Sequence, residues 1–259
     1  MILKGKTVLI TGVGPGMGVK MALGAAREGA KVAIGARSQD FLDGVRGQIE
    51  ADGGECISVT TDVSRQEDCQ RLADTALDRF GCIDGLVNSA YYHPDWQNFE
   101  TANLEQWARA YDVACMGALR MIRAVLPAMR KQRAGSIVNI STLATRKPMP
   151  GEGGYAIAKA GLGQVTRQLA VELGCYGIRV NQALMGWMLG VPLETAFHNW
   201  AKEGSSYDIL AADVAARIPL ARIPPDQDCA KAVFMLLSDY ASEITGAALE
   251  VNGGEWVSP

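Results

Sequence analysis

The chain has 259 residues, 20% of them charged and 48% hydrophobic, with a net charge of −3. So mild an acidic balance offers no basic footprint for nucleic acid, and no apolar run approaches the roughly 20 residues that a membrane span needs. The length suits one α/β domain over residues 1–259, with the cytoplasm as the default location.

Taken in order, residues 7–11 form a short apolar strand that enters a glycine-rich turn, and residues 16–28 read as a helix stopped by Gly29. Residues 31–36 are a second strand, 38–51 a helix and 56–60 a third strand. A helix over 64–80 has Ser64 as its expected N-cap, with Glu67 completing a capping box. Residues 85–88 are the fourth strand, and 104–130 read as one long helix with Pro127 near its end. Strand 135–140, helix 155–173, strand 178–181, helix 226–238 and strand 248–251 follow. Continuous apolar strands separated by helices specify a doubly wound parallel sheet, about seven strands wide, with helices on both faces. The segment 186–211 shows no clear element, and a substrate lid is expected around 186–215.

The six cysteines are scattered without a C-x-x-C pair, which reads as buried, reduced thiols. His93 and His198 lack metal-ligand spacing, so no metal is expected. The start runs directly into the first strand, so no signal peptide is expected.

Two motifs carry chemistry. The turn Thr11-Gly12-Val13-Gly14-Pro15-Gly16-Met17-Gly18 opens a helix. Its glycines admit a pyrophosphate to the backbone, and the helix N-terminus offers oriented N–H groups. A tight strand-helix joint is the plainer alternative. Tyr155-Ala156-Ile157-Ala158-Lys159 places a phenol and an ammonium on one helical face. A nearby positive charge lowers a phenol's pKa, which suits it to proton transfer with an alkoxide. Chance yields about 0.24 such pairs in a chain with seven Tyr and nine Lys, so the location after the fifth strand carries the weight.

The spacing T-G-x-x-x-G-x-G, the Y-x-x-x-K pair, Asp62-Val63, Asn88-Ser89-Ala90-Tyr91, Arg179-Val180-Asn181, Thr245-Gly246 and Asn252-Gly253-Gly254 occur in an order that resembles the short-chain dehydrogenase/reductase family from about residue 5 to 254. The resemblance implies cofactor contacts at Gly12, Gly14, Pro15, Gly16, Met17, Gly18, Asp62, Val63, Asn88, Ala90, Tyr155, Lys159 and Gly186. It implies Tyr155 as acid–base, Lys159 as its partner, and a hydroxyl thirteen residues before the tyrosine, which is Thr142, with Ser141 in reserve. Three positions depart from the family: Ala114 replaces an Asn that helps hold a water, Met185 replaces Pro, and Tyr91 replaces Gly. Relatives commonly form homotetramers or dimers through the helices at 104–130 and 155–173.

An acid ending the second strand would bind a ribose 2′-OH, whereas an Arg accepts a 2′-phosphate. Ala36-Arg37 stands there, so NADP(H) is expected, with NAD(H) possible and a solvated surface Arg as the alternative. Pro15 stands where NADP-using relatives often carry a second basic residue. Tyr91, Tyr92 and Trp96 follow the fourth strand, and Trp187, Met188, Leu193, Phe197 and Trp200 follow the sixth. Both groups belong at the C-terminal strand edge, where they suggest a bulky apolar or aromatic carbonyl or alcohol substrate; core or subunit packing would also account for them. An NADP(H) sensor with weak catalysis is the competing function. Enoyl reduction fits less well, because enoyl reductases of the fatty-acid type space Tyr and Lys further apart.

Overall fold

The computed structural model describes residues 1–201 and 206–257. β1 (Thr7–Thr11), α1 (Met17–Arg27), β2 (Lys31–Ala36), α2 (Gln39–Ala51), β3 (Cys56–Thr60), α3 (Gln66–Phe80) and β4 (Gly85–Asn88) alternate through the first third. Then come α4 (Leu104–Tyr111), a π-helical turn (Asp112–Met116), α5 (Gly117–Gln132), β5 (Gly135–Thr142), α6 (Gly153–Leu173) and β6 (Ile178–Met185). The remainder is α7 (Val191–Ala201), α8 (Tyr207–Ala216), α9 (Asp226–Leu237) and β7 (Ala248–Val251). Among the described residues the strands form one sheet in the order β3-β2-β1-β4-β5-β6-β7, with every neighbouring pair parallel. The chain reverses its direction of travel between β1 and β4, and that switch opens a crevice beyond the C-terminal strand ends.

Alternation along β1 explains its unbroken apolar run. Val8 and Ile10 pack with α1, α2 and α9 on one face, while Leu9 packs with α3, α5 and α6 on the other. All three are fully buried, each contributing about 1.5–3 kcal/mol relative to an exposed side chain.

Several boundaries differ from the sequence expectation. α3 is capped by Arg65, not Ser64. The Ser64 backbone N–H and hydroxyl both donate to Asp62 Oδ1, at 2.9 and 2.7 Å, so an Asx turn takes the group a capping box would use. The expected long helix is interrupted at the π-helical turn, where the Gly117 N–H reaches back five residues to the Asp112 carbonyl. Arg120 stabilises that turn by donating to Asp112 Oδ1 at 2.7 Å. The segment 186–211 is largely helical, as α7 and the start of α8, because Phe197, Val214, Ile218 and Ile223 bury one another in a separate small core. Residues 202–205 of the expected lid lie outside the described residues. Four cysteines are buried as expected, but Cys82 is half-buried and Cys175 is exposed. Among the described residues no helix is long and apolar enough to cross a membrane.

Candidate active site

The glycine turn after β1 is shaped by close backbone approach. Gly12 has φ 73°, and a Cβ there would lie 2.4 Å from the Ala90 backbone nitrogen. A Cβ on Gly18 would lie 2.6 Å from the Gly12 carbonyl oxygen. Gly14 has nothing within 4 Å on its side-chain face, and Pro15 is exposed, so the outer side of the turn is open. Gly16 is the N-cap of α1, and Met17 turns its side chain into the core. The first N–H groups of α1 therefore face the turn without an intrahelical partner. A diphosphate fits such a cradle by charge and by shape.

Arg37 is exposed just beyond β2. Burial acts to raise the neighbouring Asp62 carboxyl, but the Ser64 hydrogen bonds and the Arg37 charge outweigh it and hold that carboxyl below its usual range. Val63 is buried against Gly117, where a Cβ would come within 2.7 Å of its side chain. Asn88 is also buried; its amide donates to Asn139 Oδ1 at 2.9 Å, and Asn139 donates to Thr166 Oγ1 at 2.9 Å. That chain of side chains ties β4 through β5 to α6. Gly186 donates its N–H to the Val251 carbonyl at 3.0 Å, and a Cβ there would press within 2.7 Å of Asn252.

The Tyr155 and Lys159 side chains lie one turn apart on α6, which begins at Gly153, two residues earlier than expected. Gly153 and Gly154 leave room for the Trp107 ring of α4, where a Cβ would come within 2.7 and 2.5 Å of it. Lys159 is only 2% exposed, and its Nζ donates to the Ile140 carbonyl at 2.8 Å. Burial pushes its pKa down to about 8, against a smaller upward pull from Cys115. The ammonium lies 6.0 Å from the centre of the Tyr155 ring. The Tyr155 phenol is nonetheless raised, by burial first and then by the Tyr91 and Glu152 charges, with a hydrogen bond to Thr142 pulling the other way. The expectation of a lowered phenol thus fails for the chain alone, because desolvation outweighs a lysine aimed at a carbonyl.

Thr142 and Ser141 part as strand alternation requires. Ser141 is buried with its hydroxyl unpartnered. Thr142 is half-buried at the strand end, accepts from the Ala144 N–H at 3.2 Å and acts to lower the Tyr155 phenol. Accepting through its oxygen leaves its proton free to donate. Ala114 lies in the π-helical turn, 2% exposed.

On the other side of Tyr155 stands an aromatic wall. Tyr91 meets its ring edge-on at 6.1 Å between centres, and His93 lies against it at 5.0 Å. Trp96 stacks on His93 at 5.9 Å and meets Trp200 of α7 edge-on at 6.3 Å. Trp187 instead faces the lid core, where it lines a cavity of about 460 Å³ with Phe197, Trp200 and Leu210. Met188 packs against the core beside α1 and α9. Sequence reasoning passed over His93 and Glu152, which pair at 3.6 Å beside Tyr155. No motif links them, since their proximity arises only when the loop after β4 folds over the N-terminus of α6.

A family model described as "Enoyl-(Acyl carrier protein) reductase" matches residues 12–255. The chain belongs to the short-chain dehydrogenase/reductase family. Among members of this family it is 32% identical over 254 residues to a 3-oxoacyl-acyl-carrier-protein reductase, FabG, of Staphylococcus epidermidis, covering 97% of this chain and 99% of the relative. The fold superposes on an NAD⁺-bound xylitol dehydrogenase with a TM-score of 0.91 at 28% identity, over 98% of this chain and 100% of the other. It superposes on a single-site variant of actinorhodin polyketide ketoreductase with NADPH at 0.90 and 26% identity, over 96% and 97%. The short-chain dehydrogenase/reductase family comprises oxidoreductases that use a nicotinamide dinucleotide, so both the doubly wound sheet and the family expected from the motifs are borne out.

Proposed function

We propose that this oxidoreductase uses NADP(H) to reduce the carbonyl of a bulky apolar or aromatic compound to a secondary alcohol. The observation that carries this reading is the placement of the Tyr155 ring, 6.0 Å from the Lys159 ammonium and faced by Tyr91 and His93, with Thr142 at the neighbouring strand end.

The glycine turn would hold the diphosphate through Gly12, Gly14, Pro15, Gly16, Met17 and Gly18, with Asp62, Val63, Asn88, Ala90 and Gly186 along the crevice. Arg37 would meet the 2′-phosphate, and its exposure at the end of β2 supports NADP(H) over NAD(H). When bound, the reduced dinucleotide supplies a hydride to the carbonyl carbon and is itself oxidised. Thr142 donates a hydrogen bond to the carbonyl oxygen and steadies the charge that develops there. Tyr155 gives its proton to that oxygen, completing the alcohol and leaving a phenolate. Lys159, with a pKa of about 8, returns a proton to the phenolate and draws its replacement from solvent. Tyr91, against the phenol, and Trp96, one ring further out, would line the substrate side, whereas Trp187 and Met188 face the lid core and the α1–α9 side. Association through α4, α5 and α6 and a cytoplasmic location complete the proposal.

A panel of aliphatic, alicyclic and aromatic ketones with NADPH tests this. Tyr155→Phe is expected to lower turnover at least about a thousandfold while NADPH binding, followed by fluorescence, stays within about twofold. Tight NADPH binding with no turnover of any ketone by the wild type would instead favour the sensor.

A further inference from the structure

The small core of the lid leaves a groove of its own. Phe197 and Trp200 lie one turn apart on α7, and Leu210, Asp213, Val214 and Arg217 recur at helical spacing along α8 and its C-cap, so each helix turns one face to the other. Between those faces, with Trp187 just past the end of β6, lies the cavity of about 460 Å³, a size that suits a small organic group. Its walls are apolar. Phe197 is fully buried, meeting Trp200 at 5.8 Å between ring centres and Tyr207 of α8 edge-on at 5.7 Å, and Val214 is buried with it. The two charged lining residues, Asp213 and Arg217, are exposed and opposite in sign, so the rim carries no net charge to attract an acid or a base.

Trp200 belongs to two walls at once. It lines this groove, and it meets Trp96, the outer ring of the wall around Tyr155, edge-on at 6.3 Å. Trp96 is fixed from two sides: it stacks on His93, and it sits on Gly151 of the loop after β5, where a Cβ would collide with the indole. The lid helix is fastened at its other end as well, since a Cβ on Gly16 of the glycine turn would lie 3.0 Å from Pro192 Cδ. α7 thus runs from the glycine cradle to the aromatic wall. Rings follow one another from Tyr155 through His93, Trp96 and Trp200 to Phe197, with centres 5.0, 5.9, 6.3 and 5.8 Å apart in turn.

We propose that the groove between α7 and α8 receives the distal end of the substrate, an uncharged, flexible apolar tail that runs along Trp96 and Trp200 from a carbonyl held at Tyr155. This rests on the proposed carbonyl reduction at Tyr155 and names the kind of ketone it acts on, one that is long and apolar beyond the carbonyl. A short ketone ends before Trp200 and gains nothing from the groove. Each methylene that leaves water for the groove strengthens binding by about threefold. Leu210 and Arg217, both on the α8 side, are positions at which the groove can be filled or closed without changing any ring of the wall.

Straight-chain methyl ketones from butanone to tridecanone, each below its solubility limit, test the groove. They are titrated by calorimetry into the NADP⁺-saturated protein, where no hydride is on offer, and are then assayed with NADPH. In the wild type, affinity and kcat/KM are expected to climb by about threefold per added carbon through the longest members. Leu210→Trp, which fills the groove, and Arg217→Trp, which closes its rim, are expected to weaken the longest ketone on the order of thirtyfold, about three methylenes' worth, and to leave butanone within about twofold. Arg217→Ala removes only the charge and should leave both ketones within about twofold. If Leu210→Trp loses NADPH binding, its lid is misfolded, and Arg217→Trp, made at an exposed position, decides. Long and short ketones weakened equally in Arg217→Trp, or a longest ketone that keeps its advantage there, would overturn the proposal and leave the chemistry at Tyr155 standing. Length-dependent binding with no turnover of any ketone by the wild type would overturn the reduction at Tyr155, and with it the assignment of the tail to a substrate.

Discussion

The two ends of the crevice are built on different principles. At the β1–α1 end the surface is backbone: Gly12 and Gly18 are small because another chain segment passes within 2.6 Å of where a Cβ would be. At the β4–α6 end the surface is side chain: Tyr91, His93 and Trp96 project from a loop and meet Tyr155, Glu152 and Trp200 from two other segments. A backbone cradle leaves a fixed spacing in the sequence and tolerates few substitutions. A side-chain wall leaves no spacing and can change one ring at a time. The first end is thus suited to a group shared by many oxidoreductases, the second to whatever distinguishes this one.

The sharpest way to break the contrast is Gly12→Ala. Strain at φ 73° combined with the Ala90 clash should cost about 2–4 kcal/mol of stability. It should also lower NADPH affinity on the order of a hundredfold, read by thermal unfolding and fluorescence titration. An alanine tolerated without loss would mean the turn is an ordinary joint. Arg37→Ala should weaken NADPH on the order of fiftyfold and leave NADH within about twofold, because only the 2′-phosphate contact is removed. Equal losses for both would remove the argument for NADP(H).

On the chemical side, burial of Lys159 has a pH signature. From about pH 8 to 10.5 the unfolded chain holds this proton more tightly than the folded one. The charge therefore opposes folding below that window, and the penalty fades as pH rises through it. Relative to wild type, Lys159→Met should lose about 2 kcal/mol of its stability advantage between pH 8 and 10.5, measured by urea unfolding at each pH. A constant difference across that range would show that Lys159 is hydrated in the folded state. The smallest effect is expected from Ala114→Asn. The π-helical turn is already formed with alanine, so adding the amide should raise turnover less than about threefold. A gain of several orders of magnitude would show that proton return through Lys159 is broken in the native chain.

How much of this was legible beforehand follows the same division. The seven strands could be read from apolar runs because a parallel sheet buries both faces. Thr142 could be separated from Ser141 by strand alternation and a count back from Tyr155, and the two do differ as alternation requires, Ser141 buried and Thr142 half-buried. The helix break at Asp112–Met116 was not legible, since α-helical and π-helical turns share the same apolar periodicity. Nor were α7 and α8, whose Phe197 and Val214 are buried by each other and not by the sheet. Trp187 and Met188 were grouped with Tyr91 and Trp96 by their place after a strand, yet they face the lid core and the α1–α9 side.

By itself the sequence determined the sheet, the glycine cradle and the Tyr155–Lys159 pair, because each depends on residues close in the chain whose spacing is set by strand or helix geometry. The tertiary structure alone decided that the Tyr155 phenol is raised and that His93 meets Glu152. Burial and long-range charge depend on which segments come to lie together, and that information is spread over the whole fold.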